Sequence, residues 1–216
     1  MLKHIKIIAL GIGIGLLTAC ASSPEVKEAV QAAKVEEQLS SKLVSVELYV
    51  IKLYSENYTD SGVLFNDIST SLKSYEGTDI PNQFTAFGKA SVETKIPLIQ
   101  IQNMPSEYIL ATNTGYVKEI KKNKIIPDFY SDGIKAVIES NVISPTNIAV
   151  KYSIDVERVI RIEKNKSNKL IDIPILNKRT FSQSMVFTNN EYIVAGIMNT
   201  IPKQFEVIVL KAKMRN

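Results

Sequence analysis

The sequence predicts a mainly β fold for residues 41–216, and three observations support this prediction. From residue 41 the chain is rich in β-branched and aromatic side chains, in runs separated by Asn-, Gly- and Ser-containing turn signals. Residues 148–162 alternate between apolar and polar side chains, which is the period of a strand with one buried face. Residues 205–214 are apolar at both odd and even positions, as expected for a strand buried between two layers.

The composition excludes several classes of protein. With 45% hydrophobic and 22% charged residues, the 216-residue chain is neither a disordered tail nor a membrane protein with several helical spans. The only His is His4 and the only Cys is Cys20. Once a signal peptide ending at residue 19 is removed, the chain has no imidazole and one terminal thiol. That excludes a Ser-His-Asp or Cys-His triad, a His or Cys zinc site and an internal disulfide.

The charge balance argues against nucleic-acid binding. The formal net charge is +4, but two of the 26 basic residues, Lys3 and Lys6, lie in the signal, so 24 basic residues remain against 22 acidic ones. Acidic pairs such as Asp155 and Glu157 are interpreted as solvated charge and not as acid–base catalysts. We therefore expect no enzyme activity, no nucleic-acid partner, no metal and no cofactor other than a covalent lipid.

Residues 1–19 are predicted to be a signal peptide for export through the Sec pathway. A basic start is followed at 7–17 by eleven apolar residues, a run too short to span the ~30 Å hydrocarbon core of a bilayer. The letters LTAC at 17–20 are similar to the lipobox of bacterial lipoproteins, in which the chain is cut before an acylated cysteine. We therefore expect a lipid on Cys20. By analogy with enterobacterial sorting, Ala21 favours the outer membrane.

Residues 20–40 are predicted to be a lipidated tether that contains a short helix. Ser23, Pro24 and Glu25 provide an N-cap, a proline in the first turn and an acidic residue there. Good helix formers continue to about residue 39, with a thin apolar stripe. We interpret this helix as a spacer above the membrane; a partner-binding helix is the alternative.

The remaining elements of residues 41–216 are predicted from local patterns. The strand-like runs are 43–54, 90–102, 134–139, 148–162, 181–188, 192–198 and 205–214. One further helix is predicted at 60–72, with Val63, Leu64, Ile68 and Leu72 on one side. Turn signals lie at 57–62, 76–82, 103–106, 128–133, 141–147, 165–168 and 189–191.

The run at 148–162 is unusually long for a strand. At ~3.3 Å per residue it extends roughly 50 Å, which is typical of a tall sheet or a barrel wall. Its apolar face either packs on another sheet or faces lipid, whereas Lys151, Asp155, Glu157 and Arg161 face water. One chain has too few such strands to close a wide barrel, so a barrel requires copies of the chain. The residues predicted to form that wall are Val150, Tyr152, Ile154 and Val156.

Four stretches in order resemble the core domain of the bacterial secretins, the ring-forming outer-membrane channels of secretion systems, type IV pili and filamentous phage. They are VSVELYVIKL at 44–53, SVETK at 91–95 with IQNMPSE at 101–107 and YV at 116–117, residues 130–156, and KRTFSQSMVF at 178–187 followed by YIVAGI at 192–197. The last is most like the lipoprotein secretins of type IVB pili. The chain departs from the pattern at Lys52, where Glu is usual, and at Ala195-Gly196, where a Gly pair is usual. Only about twenty residues separate Cys20 from the first core strand, so we expect none of the periplasmic ring modules that usually precede the core.

The resemblance implies that subunits assemble into a double-walled β-barrel, each giving strands to both walls. It also implies a gate formed by hairpins that project into the channel, here at 118–132. That gate is expected to be short and basic, because the segment holds four lysines: Lys118, Lys121, Lys122 and Lys124. The alternative interpretation of this segment is a solvated surface hairpin.

We therefore expect an outer-membrane lipoprotein subunit of a secretin-like ring channel that exports a pilus, a phage filament or a secreted protein. Its expected partners are copies of itself, the outer membrane and other secretion or pilus assembly proteins. The alternative is a monomeric β-sandwich lipoprotein that acts as an accessory or binding module of such a system.

Overall fold

The computed structural model describes residues 43–72, 75, 79–122 and 124–215. The predicted lipidation site Cys20 and the predicted helix at 23–39 lie outside these residues. The described chain is mainly β, as predicted. Its elements, in chain order, are β1 (Leu43–Tyr54), α1 (Ser61–Leu72), α2 (Ile80–Gln83), β2 (Lys89–Ile101), β3 (Ser106–Lys121), β4 (Lys124–Val142), β5 (Asn147–Lys164), β6 (Asp172–Thr188), β7 (Tyr192–Ile201) and β8 (Gln204–Arg215).

The strands form two antiparallel sheets of four strands each. Sheet A has the order β2-β1-β8-β7 and sheet B has the order β3-β4-β5-β6. Sheet B is a simple succession of hairpins. In sheet A the first strand pairs with the last, because β1 lies between β2 and β8 along its whole length. The chain therefore leaves sheet A after β2, builds sheet B, and returns to sheet A at β7.

The two sheets pack face to face and enclose the larger hydrophobic core, which we call the inter-sheet core. Every second residue of β1 and β8 in sheet A meets every second residue of β4 and β5 in sheet B. Val46, Ile138, Ile154 and Leu210 are examples, and all four are fully shielded from solvent. Burial of such side chains stabilises the fold by about 1.5–3 kcal/mol each, so this core holds the sheets together.

A second core lies on the other face of sheet A, under the helices. Helix α1 begins after Asp60, whose Oδ1 accepts hydrogen bonds from the backbone N–H groups of Gly62 (2.6 Å) and Val63 (3.1 Å). Leu64, Ile68 and Leu72 follow at four-residue spacing and are buried on sheet A. The predicted helix is confirmed, but its apolar stripe is narrower than expected because Val63 is 55% exposed.

Strand β8 is buried on both faces, as its uniform hydrophobicity predicted. Val207 and Val209 pack under the helices, whereas Ile208 and Leu210 lie in the inter-sheet core. Sheet A is therefore the middle of three layers.

The turn predicted at 128–133 is wrong, because these residues lie inside β4. The chain reverses instead after Lys122, which has a positive φ of 45°. Gly133 serves a different purpose from a turn glycine. A Cβ on Gly133 would lie 2.2 Å from the carbonyl oxygen of Leu110 in β3, so the residue permits a close approach of two backbones. The strands predicted at 134–139 and 181–188 are accordingly the ends of the longer β4 and β6.

Candidate functional site

The unpaired edges of the two sheets lie on the same two sides of the described chain. Edge strands β2 and β3 are joined by a turn at 102–105, and edge strands β6 and β7 are joined by a turn at 189–191. Residues 108–117 of β3 contain no charged side chain and no proline. Charges and prolines are the usual protection of an exposed edge, so this strand is competent to pair with another strand.

The four residues predicted to form a barrel wall lie in the inter-sheet core. Val150, Ile154 and Val156 are fully buried and Tyr152 is 2% exposed. The Tyr152 hydroxyl donates to the backbone carbonyl of Ala195 in sheet A (3.3 Å). The apolar face of β5 therefore packs on the other sheet of the same chain, which is one of the two arrangements that the sequence left open.

The opposite face of sheet B is polar, and we call it the polar face. Its cross-strand pairs include Lys135 with Glu107 (2.6 Å) and Lys178 with Glu157 (3.3 Å). Asp155 accepts a hydrogen bond from the Thr180 hydroxyl (2.5 Å). These are exposed or half-buried groups, so each pair adds little stability. Their common effect is a wettable surface.

The apolar face of β5 is shorter than predicted. It ends at Val156, because Arg158 comes next on that face and the pairing with β6 shifts between Val159 and Arg161. Beyond this shift Ile162 is 48% exposed. In the sequence, Arg158 and Val159 are the exceptions to the alternation of apolar and polar residues, and they mark a real change in the strand.

The segment predicted as the gate, 118–132, is the distal part of one long hairpin. Strands β3 and β4 pair continuously from Ser106 opposite Ile138 to Lys121 opposite Lys124, with one register shift after Val117. The segment is thus a direct extension of sheet B. We call residues 112–132 the first hairpin.

Two of the four lysines in the first hairpin are neutralised by ion pairs. Lys118 Nζ lies 2.8 Å from Asp128, and Lys121 Nζ lies 3.0 Å from Glu119. The hydrogen bond and charge of Asp128 raise the pKa of Lys118. Hydrogen bonds from Lys118 and from the backbone N–H of Phe129 lower the pKa of Asp128. The tip is therefore less positive than a count of its lysines indicates.

A second hairpin projects from the same end of sheet B, which sequence reasoning missed. Strands β5 and β6 pair as far as Lys164 opposite Asp172, where the two side chains form an ion pair. We call residues 158–177 the second hairpin. The turn predicted at 165–168 was the one sequence feature that indicated this hairpin. The strand after it was not predicted because Pro174 and several polar residues interrupt its apolar pattern.

Charged side chains gather at the bases of the two hairpins. Arg158 Nε lies 2.9 Å from both carboxylate oxygens of Glu206, and its Nη1 lies 3.2 Å from Asp132. Its Nη2 lies 3.6 Å from Glu93, which also pairs with Lys52 (2.7 Å). Burial lowers the pKa of Arg158, but the hydrogen bonds and charge of Glu206, with Glu93 and Asp132, raise it above its ordinary value.

Among the residues that the structure describes, no three His, Cys, Asp or Glu side chains lie close enough together to bind a metal ion.

Neither of the two described helices combines the length and the apolar character needed to cross a bilayer.

The chain is similar to known proteins in structure but not in sequence. No protein-family profile matches the chain, and no curated protein sequence is significantly similar to it. The chain resembles the secretin InvG of the Salmonella SPI-1 type III secretion injectisome, with a TM-score of 0.51 and 9% identity over 90% of this chain and 70% of InvG. InvG in the injectisome basal body, with PrgH and PrgK, gives the same TM-score and identity and 50% coverage of its longer chain. The secretin PilQ of the V. cholerae type IV competence pilus is similar at a TM-score of 0.45 and 9% identity, over 89% of this chain and 66% of PilQ.

The likeness to the two InvG structures defines a fold class. The two InvG structures show that the described chain has the fold of a secretin β domain. The chain spans about half to two thirds of the length of the first solved secretins that it resembles.

Proposed function

We propose that this protein is a subunit of a secretin-like ring channel in the outer membrane. In this proposal it is anchored by a lipid on Cys20 and exports a pilus, a phage filament or a secreted protein. The observation that carries the proposal is the placement of the free edges. Sheet A and sheet B both end on the same two sides, so one contact between copies extends both sheets at once.

Such a contact is head-to-tail. Strands β2 and β3 of one copy meet β7 and β6 of the next, and each copy keeps the complementary pair of edges free. A contact of this kind continues until it closes into a ring, and closure pairs every edge. Each wall of the ring is then one continuous sheet, which is the condition for backbone inside a membrane.

The two surfaces of the chain differ in the way that a double-walled ring requires. The polar face of sheet B suits a water-filled channel, and its two hairpins narrow that channel at one level. The outer face of sheet A is partly covered by α1 and α2. We therefore place sheet B in the inner wall and sheet A in the outer wall.

A monomeric accessory lipoprotein is the second candidate, and one observation favours it. The inter-sheet core is complete within a single chain, since residues such as Ile138, Ile154 and Leu210 are fully buried without a partner copy. The domain is therefore able to fold before it assembles, and assembly itself must be tested.

Cysteine cross-linking tests the direction of assembly. Asn113 in β3 and Ser182 in β6 are exposed residues on the polar face, at opposite edges of sheet B. We would prepare Asn113→Cys and Ser182→Cys in full chains that also carry Cys20→Ser, and oxidise each alone and the two mixed, in detergent. A head-to-tail ring predicts that any cross-linked dimers form only in the mixture. Dimers from Asn113→Cys alone indicate a two-fold contact, and a monomeric mass throughout supports the accessory lipoprotein.

Lipidation is tested separately. Cys20→Ser removes the only thiol in the chain, so incorporation of a clickable palmitate analogue should fall to background. Equal labelling of the parent protein and the Cys20→Ser variant would contradict the lipid anchor, but it would leave the ring proposal untouched.

A further inference from the structure

Sheet B divides into two separate hairpins at one level. The pairing of β4 with β5 ends at Gly133 opposite Glu157. Beyond this pair β4 continues with β3 alone, and β5 continues with β6 alone. Among the described residues, the first and second hairpins therefore leave the sheet as two separately paired ribbons, and side chains at the division contribute to the angle between them.

Asp132 continues the connection by one residue beyond the last backbone pair. Its Oδ2 accepts a hydrogen bond from the backbone N–H of Val159 (3.2 Å), and its Oδ1 accepts one from Arg158 Nη1 (3.2 Å). A carboxylate of the first hairpin thus binds both a side chain and the backbone at the base of the second.

Arg158 extends the same connection to the other sheet. Its Nε contacts both carboxylate oxygens of Glu206 in β8, whose side chain is only 4% exposed. Glu93 in β2 approaches from the side at 3.6 Å. A planar guanidinium with several donors in fixed directions is able to hold three carboxylates at defined angles, whereas a lysine ammonium is a compact charge on a flexible stem.

We infer that Arg158 is a positioning residue: with Asp132 and Glu206 it orients the bases of both hairpins relative to sheet A. A buried ion pair adds little stability compared with apolar residues of the same size, so its expected contribution is to a defined geometry. The positioning is a property of one chain. Its consequence, a defined aperture between hairpins in a channel, rests on the proposed function.

Spin-label distances between the hairpin tips test this inference. Labels on Lys122→Cys and Lys166→Cys, in the full chain with Cys20→Ser, report the tip-to-tip distance by double electron–electron resonance. Labelled protein is diluted into excess unlabelled protein, so that only distances within one chain contribute. Asp132→Asn and Arg158→Lys should each make the distance distribution roughly twice as wide. Arg161→Lys is the matched control, because Arg161 lies on the same strand but is exposed and pairs only with Glu163 among the described residues.

The melting temperature separates positioning from folding. Because Arg158→Lys leaves buried Glu206 with a poorer partner and lowers the melting temperature, Asp132→Asn, whose carboxylate is more exposed, is the decisive variant. Broadening in Asp132→Asn with a melting transition equal to that of the control supports the inference. An unchanged distribution in Asp132→Asn, or equal broadening in Arg161→Lys, overturns it. These outcomes do not depend on ring formation, which the cross-linking experiment decides.

Discussion

Ile154 shows how strictly one face of β5 is specified. It is fully buried, and its cross-strand neighbours are Ala136 and Phe181. Ile154→Asp would bury a carboxylate without a cationic partner on the neighbouring strands, at a cost of roughly 3–5 kcal/mol. We expect loss of the folded protein and of any high-mass band that resists SDS. Val156→Asp is a weaker test, because Val156 lies opposite Arg179 and two residues from Arg158.

Ser153→Asp is the matched control for that variant. Ser153 is adjacent in sequence but lies on the polar face, opposite Ser182. Urea unfolding of the two variants should give a midpoint close to the parent protein for Ser153→Asp only. Similar midpoints for both variants would show that the two faces have been assigned wrongly.

At the scale of single elements, the charge of the first hairpin gives a test of whether it lines a channel. Lys121 and Lys124 lie opposite each other at its tip, next to Lys122 in the turn. If the hairpin lines a channel, planar-bilayer currents should prefer anions, and replacing these three lysines by Glu should reverse the sign of the reversal potential. Lys213→Glu, exposed at the end of β8 away from the hairpins, should not change it. A triple variant with the parent's reversal potential would place the hairpin outside the conduction path.

The ion pair between Lys118 and Asp128 makes the charge of this hairpin depend on pH. The pKa of Asp128 is lowered from its ordinary value of 3.8, and the pKa of Lys118 is raised from 10.5. The contribution of the pair to hairpin stability is therefore complete above pH 3.8 and below pH 10.5, and it is lost as the pH falls through the lowered pKa of Asp128.

Acidification below that pKa removes the negative charge and leaves Lys118 cationic. If the hairpin lines a channel, its anion preference should therefore rise as the pH falls through the lowered pKa of Asp128, and Asp128→Asn should show the higher preference already at neutral pH. A variant that keeps the parent's pH dependence in bilayer recordings would assign the titration to another group.

At the scale of the whole molecule, one glycine lies at a close contact between the two sheets. A Cβ on Gly196 in β7 would lie 2.3 Å from the ring of Phe181 in β6, so the ring occupies the space that any other side chain requires. Gly196→Ala should destabilise the fold by about 1–3 kcal/mol. Phe181→Leu, which removes the ring, should make the same glycine substitution less costly. Additive effects in this double-mutant cycle, measured by urea unfolding, would contradict the contact.

Much of the architecture could be predicted from local sequence patterns. Strand β1 was predicted at its observed bounds, and β2, β7 and β8 were predicted to within a few residues. The helix at Ser61–Leu72 followed from the four-residue spacing of Leu64, Ile68 and Leu72. The buried face of β5 followed from the alternation of its side chains. In each case the environment of a residue depends on its immediate neighbours along the chain.

The hairpins and their junction could not be predicted in the same way. Strand β6 was predicted only at its apolar end, and Gly133 was assigned to a turn although it lies within β4. Both errors have one cause: an exposed strand pairs through its backbone, and its side chains are free to be polar. Arg158 appeared only as an exception to an alternating pattern, because its partners Glu206 and Glu93 are distant in sequence.

The sequence by itself determined the class of fold and the face of each central strand that is buried. Only the tertiary structure decided that the apolar face of β5 packs on β1 and β8 of the same chain. It also placed the free edges of both sheets on common sides and gathered Arg158 with its carboxylates at the division of sheet B. The reason is physical: burial and periodicity are local properties of a strand, whereas edge placement and charge pairing depend on which strands become neighbours.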